Sequence, residues 1–226
     1  MNALHRGAAR ATTTAPGRTT RHSFSFGPHH DPANLGFGPM VCHNDDELDP
    51  GAGYPDHPHS HLEIVTWVLE GALVHTSSDG ARSVVQAGQA QLLSAGSGVR
   101  HSEIADAASG RCRFVQAWLR PDGPGGTTSY SLGEAPAGAD GLVEVVGGSA
   151  LPIRVTGARL LVARLAAGQA VALPEAPLLH VFAATGSARV GGLDLSAGDA
   201  ARLSDDSARE VSANGPSELL VWCLPR

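Results

Sequence analysis

The sequence predicts a mainly β protein built from many short strands. Its 226 residues include 28 glycines and 15 prolines, and only 17% of them are charged. Valine-rich runs a few residues long lie between glycines, as in chains of short strands joined by tight turns, and no helical period interrupts them. A chain of this length can bury the core of one large or two small β domains.

Two similar halves, separated by a flexible segment, are expected along the chain. The stretch from Arg120 to Gly141 is dense in glycine, proline and small residues, as in a linker or a long surface loop. When Gly186 is aligned with Gly71, the strand and turn patterns of the two halves come into register. We therefore predict a flexible N-terminal arm over residues 1–22, a domain over 23–120 that opens with a strand at HSFSF, a linker over 121–141 and a second domain over 142–226.

Charge and cysteine content exclude several classes of function. The formal net charge is −6, and no basic cluster beyond the N-terminal region could follow a phosphate backbone, so direct nucleic-acid binding is not expected. Cys42, Cys112 and Cys223 form neither a disulfide framework nor a CxxC pair, which fits a reducing compartment. No apolar run approaches the roughly 20 residues of a membrane span. We expect a cytoplasmic protein without membrane contact.

A cluster of histidines marks the first half of the chain. The segment HPHSHLEIVTWVLEG, residues 57–71, places His57, His59, His61 and Glu63 at alternate positions before an apolar run. In an extended strand these side chains project from one face. Neutral imidazole is the commonest metal ligand in proteins, and two ligands at positions i and i+2 of a strand can reach one ion. The pattern therefore indicates a metal site.

A second pair of candidate ligands follows in VRHSEI, where His101 and Glu103 also stand at i and i+2. Two such strands facing each other in a small β-barrel would offer three imidazoles and one carboxylate to a single ion. One or two coordination positions would then stay open for water, oxygen or a substrate. The aligned positions of the second half lack these ligands, so we place the chemistry in the first half.

These segments resemble a known family. Residues 51–71, GAGYPDHPHSHLEIVTWVLEG, are similar to the first cupin motif, whereas the second cupin motif is only partly met. Together with LLSAGSGVRHSE, they resemble the pirin family and, within it, the bacterial quercetinase-like branch. HSFSFGPHHDPANLGFGP, HNDD, GGLDLSAGDAARL and ELLVWCLP extend the resemblance over nearly the whole chain. It implies a bicupin, two β-barrels in one chain, with a metal ion in the N-terminal barrel bound by His57, His59, His101 and Glu103.

The resemblance leaves two carboxylates as candidates for the fourth ligand. The general cupin pattern would choose Glu63 as the fourth ligand, whereas the pirin-like pattern would choose Glu103. We favour Glu103, because HxE at 101–103 mirrors HxH at 57–59, and assign Glu63 an outer role. His61 stands where many pirins carry glycine and is not counted as a ligand.

The remaining histidines receive structural roles. His75 is expected in the strand after Gly71, away from the ion. His180, in the second half, is expected to be a hydrogen-bonded core or edge residue. Four others are expected in loops or at the pocket rim: His22, His29, His30 and His43.

The pirin resemblance implies two kinds of function. The ion is expected to be Fe(II), although zinc, nickel, copper or manganese would also accept this ligand set. In quercetinase-like relatives a flavonol such as quercetin is opened by O2 with release of carbon monoxide, and we expect Glu103, with help from Glu63, to accept the substrate's proton. The alternative is a non-enzymatic, redox-responsive iron protein that acts through a regulatory protein partner, since both uses need the same ligands.

Overall fold

The all-β expectation is confirmed by the computed structural model, which describes residues 2–136, 138, 141–204 and 210–226. Every pairing between its named strands is antiparallel, and the helical content is two short 3-10 turns, Gly7–Ala9 and Ala107–Ser109. No helix in these ranges is long and apolar enough to cross a membrane. The first twelve strands are β1 (Ala3–His5), β2 (Ala11–Ala15), β3 (Arg18–His22), β4 (Met40–Leu48), β5 (Gly53–His59), β6 (Glu63–Glu70), β7 (Ala72–Ser77), β8 (Arg82–Gln86), β9 (Gln89–Ser94), β10 (Val99–Ala105), β11 (Cys112–Leu119) and β12 (Ser129–Glu134).

The first half of the chain folds into two facing sheets. A seven-stranded sheet has the order β12-β9-β6-β11-β4-β3-β2, and a four-stranded sheet has the order β5-β10-β7-β8. Apolar side chains from both sheets meet between them, among them Val68 of β6, Leu73 of β7 and Phe114 of β11, each fully buried. Alternation of side chains along the strands thus gives this barrel an apolar end and leaves β5 and β10 free to carry polar side chains.

The second half repeats this plan. Its strands are β13 (Leu142–Val146), β14 (Arg159–Leu165), β15 (Ala170–Ala172), β16 (Leu178–Thr185), β17 (Ser187–Val190), β18 (Leu193–Ser196), β19 (Ala200–Ser204), β20 (Glu210–Ala213) and β21 (Ser217–Leu224). They form a six-stranded sheet, β1-β19-β16-β21-β14-β13, and a four-stranded sheet, β15-β20-β17-β18. The two-barrel architecture expected from the sequence is therefore present.

The internal repeat is visible in two equivalent glycines. Gly71 joins β6 to β7 with φ +69°, and Gly186 joins β16 to β17 with φ +73°. A Cβ atom at Gly71 would collide with the carbonyl oxygen of Arg111, and one at Gly186 would collide with that of Pro216. Both turns thus need a residue without a side chain, because the neighbouring strand passes directly against them.

The N-terminal residues differ from the predicted flexible arm. Residues 11–22 form the β2–β3 hairpin at the edge of the seven-stranded sheet, and β1 pairs with β19 of the second half. The alternation of threonines in ATTTA and RTTRH is a strand signal, and both segments extend the sheet from β4. The strand expected at HSFSF is consequently absent beyond His22, where β3 ends: residues 23 and 24 form a bend, and Phe26 forms an isolated bridge with His29.

The predicted linker is also partly ordered into the sheet. Within residues 121–141, β12 pairs with β9 over Ser129–Glu134 and completes the edge of the seven-stranded sheet. SYSLGE alternates polar and apolar residues and so can cover a sheet edge on one side. Of the predicted linker, Ala137, Ala139 and Asp140 lie outside the described residues.

The largest apolar core joins the two barrels. It includes Trp67, Val115 and Ala117 from the first half with Phe182 and Trp222 from the second. The indole nitrogen of Trp67 also donates a hydrogen bond to Glu218 Oε1 at 2.7 Å, across the contact between the halves. The outer faces of the two large sheets are therefore packed against each other rather than exposed.

Candidate metal centre

Two neighbouring strands bring three of the four predicted ligands together. In the antiparallel pairing of β5 with β10, His57 stands directly opposite His101, and His59 lies two residues along on the same face. The ring centroids are 4.5 Å apart for His57 and His101, 4.8 Å for His57 and His59, and 5.2 Å for His59 and His101. One ligand nitrogen from each ring lies within 4.8 Å of the other two, close enough to share one ion.

The hydrogen bonds of these rings leave nitrogen lone pairs available. His57 Nδ1 lies 2.8 Å from the carbonyl oxygen of Pro55. Since a carbonyl can only accept, Nδ1 carries the proton and Nε2 keeps its lone pair. His101 is 1% exposed, and its Nε2 has no hydrogen-bond partner within the described part of the chain. A buried nitrogen without a partner is rare, and a metal ion at this position would satisfy it.

Burial keeps His59 and His101 neutral, as metal binding requires. Desolvation, with repulsion from His57, lowers the pKa of His59 to about 4. The same burial, with repulsion from His57, His75 and His59, lowers the pKa of His101 to about 3. These two imidazoles therefore stay in their ligand form across the physiological pH range.

Glu103 lies beside His101 but faces a different set of neighbours from His57 and His59. A β-bulge between His101 and Glu103 shifts the register of β10 against β5. The carboxylate is 2% exposed and accepts hydrogen bonds from the side-chain amides of Gln91 and Gln116, the latter at 2.9 Å. Burial raises the pKa of Glu103 to about 7, although these amides oppose the shift.

His75 belongs to this site, so the expectation that it lies away from the ion is wrong. Strand β7 pairs with the other edge of β10, where His75 stands opposite Glu103. His75 Nδ1 lies 3.3 Å from His101 Nδ1, and a second possible ligand group comprises His75, His101 and Glu103. Sequence reasoning missed this contact because neighbouring strands of the small sheet are not neighbours in the chain.

Glu63 and His61 contact other parts of the molecule. The Glu63 carboxylate, 1% exposed, accepts a hydrogen bond from Ser94 Oγ at 2.7 Å and one from the backbone N–H of Arg154 at 3.3 Å. His61 has φ +54°, a left-handed conformation, and its Nδ1 accepts a hydrogen bond from the backbone N–H of Gly125 at 3.0 Å. Neither residue is in a ligand group among the described residues.

Aromatic side chains form a wall beside the histidines. The ring of Trp118 lies edge-on to the rings of His59 and Phe26, with centroid distances of 5.0 Å and 5.4 Å. The indole nitrogen of Trp118 donates to Gln116 Oε1 at 2.8 Å, and Gln116 in turn donates to Glu103. Sequence reasoning did not select Trp118 or Gln116, although both stand on β11, where a two-residue period in FVQAWL indicates that they share a face.

Two further histidines are buried between the barrels. His43 and His180 are both 0% exposed, with ring centroids 4.6 Å apart. The core location expected for His180 is confirmed, but neither of its ring nitrogens has a hydrogen-bond partner in the described structure. His43 lies within β4 and not at a pocket rim, so that expectation is wrong. Burial lowers the pKa of His43 to about 3 and holds the ring neutral.

The comparison with protein families divides the chain at the same place as the fold. Residues 5–119 match the Pirin family, and residues 149–222 match the family described as quercetinase C-terminal cupin domain. Together the two matches cover most of both barrels, including β2 and β3, and leave β12 and β13 between them.

Individual relatives extend the match over most of the chain. A Mycobacterium tuberculosis protein named "Putative quercetin 2,3-dioxygenase" is 45% identical over 97% of this chain and 93% of its own length. The quercetin 2,3-dioxygenase of Escherichia coli K12 is 31% identical over 90% of each chain. The crystal structure of the bacterial pirin YhhW from Escherichia coli, in complex with nickel(II), superimposes with a TM-score of 0.92 at 28% identity, covering 100% of this chain and 99% of that one.

Proposed function

Because this chain belongs to the pirin family, whose two-domain cupin fold it shares, we propose that it is a metal-dependent dioxygenase that opens flavonols such as quercetin with O2. The observation that carries the proposal is the group of three imidazoles that can share one ion, together with the buried, unpartnered Nε2 of His101. Relatives named as quercetin 2,3-dioxygenases support the substrate class.

We assign the metal to His57, His59 and His101, with Glu103 as the fourth ligand. Glu103 adjoins His101, and its carboxylate is held by two amide donors that fix its orientation. The proposed ion is Fe(II), while the nickel bound by the bacterial relative shows that a pirin fold accepts other divalent ions. When bound, such an ion supplies a Lewis acid and a redox centre with open positions for small molecules.

The chain's own residues bind the substrate and move its proton. Trp118 and Phe26 offer ring surfaces beside His59 against which a flat aromatic molecule can pack. The Glu103 carboxylate accepts the proton of the flavonol 3-hydroxyl, and the Gln91 and Gln116 amides, which donate hydrogen bonds to it, fix its orientation for that step. Glu63, bonded to Ser94 and to the backbone at residue 154, positions the start of β6 instead of touching the substrate.

A reducing compartment is part of the same proposal. Cys42, Cys112 and Cys223 are all free and buried, which agrees with a cytoplasmic location, where thiols stay reduced.

The proposal is tested by loading the protein with Fe(II) without oxygen and then measuring O2 uptake and carbon monoxide release with quercetin. We expect coupled uptake and release in the wild type and in Arg82→Ala, which changes an exposed residue of β8. The double variant His57→Ala/His59→Ala should lose both signals. Tight iron binding without turnover on any of several flavonols would contradict the enzyme and favour the regulatory protein described above.

A further inference from the structure

A second cleft lies apart from the candidate metal centre. It has a volume of about 610 Å³ and is enclosed by the N-terminal segment, the loop after β3 and the start of β19. None of the proposed metal ligands lines it. Its size is within the range of small-molecule sites, roughly 300–1,000 Å³. The side chains that the argument uses are Arg6, Arg10, His22, Phe24 and Asp31.

The cleft is held open by a fixed backbone. Arg6 Nη1 forms an ion pair with Asp199 Oδ2 at 2.7 Å, and the Gly7 N–H donates to Asp199 Oδ1 at 2.6 Å. A Cβ atom at Gly7 would approach the backbone of Gly198 to 2.7 Å, so the two segments are in direct contact. The N-terminal segment therefore bridges the two barrels and forms one wall of the cleft.

Arg10 brings unused hydrogen-bond donors to this place. Its side chain is only 7% exposed, and its Nη2 lies 3.2 Å from Asp45 Oδ2. Asp45 is already engaged by Arg113, through two hydrogen bonds of 3.0 Å. Within the described residues Nε and Nη1 of Arg10, both buried, have no hydrogen-bond partner, and the guanidinium lies over the Phe182 ring at 5.4 Å. One buried carboxylate is thus shared by two guanidinium groups, and Arg10 is left incompletely paired.

The surrounding charges do not neutralise Arg10. Arg202, 7% exposed, bonds Asn34 Oδ1 and the Ser23 carbonyl and packs on Phe24, with no carboxylate partner among residues that the structure describes. The Asp31 carboxylate is exposed and accepts the N–H of Ala33 in its own turn. Asp45 and Asp199 are buried here as well, so the four cations Arg6, Arg10, Arg113 and Arg202 exceed the three carboxylates Asp31, Asp45 and Asp199 by one positive charge.

Flat rings, among them those of His22 and Phe24, form part of the cleft wall. Asn44 Oδ1 lies 3.0 Å from His22 Nδ1, and Thr13 Oγ1 lies 2.8 Å from His22 Nε2, so both ring nitrogens are engaged. The His22 ring stacks on Phe26 at 4.9 Å. Fixed rings beside an underpaired guanidinium suit a small molecule that joins an anionic group to a flat or apolar body.

We propose that this cleft is a second binding site, which takes a small molecule through its phosphate or carboxylate group, with Arg10 as the anchor. The proposal does not rest on the dioxygenase proposal, because none of the residues assigned to the metal or to the substrate proton lines the cleft; Phe26, which stacks on His22, is the one side chain that both arguments use.

The test is calorimetric titration of the metal-loaded protein at constant ionic strength with two probes, inorganic phosphate and benzoate. We expect saturable binding of at least one probe at a single site. Arg10→Gln removes charge-assisted hydrogen bonds and should weaken binding by about 10-fold or more. Ala9→Trp, at an exposed residue of the cleft wall, should block binding without changing any charge. Arg82→Gln is the matched control and should bind as the wild type does.

The outcomes are distinct. Binding of phosphate alone or of benzoate alone identifies the anionic group that the site selects. His57→Ala/His59→Ala should retain binding, since loss in that variant would place the anion at the metal centre and overturn the proposal. Absence of saturable binding up to about 10 mM of either probe would also overturn it, as would binding unaffected by both Arg10→Gln and Ala9→Trp. Ala9→Trp keeps the test valid if Arg10→Gln does not fold.

Discussion

Side-chain alternation along strands explains why the three histidines could be selected as candidate ligands from the sequence. His57 and His59 lie at i and i+2 of β5, and the antiparallel pairing places His101 of β10 directly opposite His57. The bulge after His101 and the contact with His75 could not be read in this way. Both depend on which strands become neighbours in the small sheet, and that information is distributed over the whole chain.

Gln116 is the residue that ties Glu103 to the aromatic wall. Its amide donates to Glu103 and its carbonyl accepts from Trp118. We predict that Gln116→Leu lowers the affinity for Ni(II) or Fe(II) by about 10-fold, as removal of outer hydrogen bonds to a ligand typically does. Competition with a chelator of known affinity measures the change. Gln86→Leu, at an exposed position of β8, is the control, and equal affinities of the two variants would remove Glu103 from the ligand set.

Asp46 gives a prediction for pH dependence. It is 2% exposed, and Oδ1 accepts hydrogen bonds of 2.5 Å from Thr20 and from Tyr54. Burial raises its pKa from 3.8 to about 6, so the folded state holds this proton more tightly than the unfolded state does. The resulting stabilisation is complete below about pH 4 and is lost as the pH rises to about 6, a change of roughly 2–3 kcal/mol.

The measurement compares urea unfolding of the wild type and Asp46→Asn between pH 4 and pH 7. An asparagine stays neutral and can still accept both hydroxyls, so its stability relative to the wild type should increase over this interval. Asp194→Asn, at a position with a 66% exposed side chain, should show no such trend. A constant difference between wild type and Asp46→Asn would show that Asp46 titrates normally.

At the scale of elements, strand content was predictable and strand boundaries were not. The turn at Gly71 and its repeat at Gly186 follow from glycines that need positive φ. The N-terminal hairpin was missed because threonine-rich strands at a sheet edge are half exposed and lack a strong apolar period. Only their partner, β4, decides that they are strands.

The connection between β5 and β6 contains the non-glycine residue with positive φ in the described chain, His61 at +54°. A non-glycine residue in this conformation costs roughly 1–2 kcal/mol. The ring compensates by accepting the Gly125 N–H, which attaches the 121–128 segment beside the metal centre. We predict that His61→Ala, which keeps the strain and loses the contact, is less stable than His61→Gly by about 1 kcal/mol.

Denaturant unfolding of the two variants and the wild type tests this prediction. The comparison of alanine with glycine isolates the backbone conformation, because neither side chain can reach Gly125. Equal stability of His61→Ala and His61→Gly would mean that residue 61 is not held at positive φ. The glycine that many pirins carry at this position agrees with the expected direction.

At the scale of the whole molecule, the two-barrel plan was predictable from the glycine repeat, whereas the contact between the barrels was not. Residues on the outer faces of the large sheets are apolar because they pack against the other half of the chain. Trp67 and Trp222 share one core. Trp67 also donates a hydrogen bond to Glu218, which forms an ion pair with Arg164 at 3.0 Å. Sequence patterns show that a face is apolar, but they do not show what covers it.

This shared core predicts that the barrels unfold together. Because the largest apolar cluster draws side chains from both halves, unfolding one barrel would expose the face of the other. We expect one calorimetric transition and coincident curves from far-UV circular dichroism and tryptophan fluorescence. Trp67→Ala, in the first half, should shift the whole transition by about 3–5 kcal/mol, and Val84→Ala, at an exposed position, should leave it nearly unchanged. Two separated transitions, with Trp67→Ala moving only one, would show that the barrels are independent and that their contact contributes little to stability.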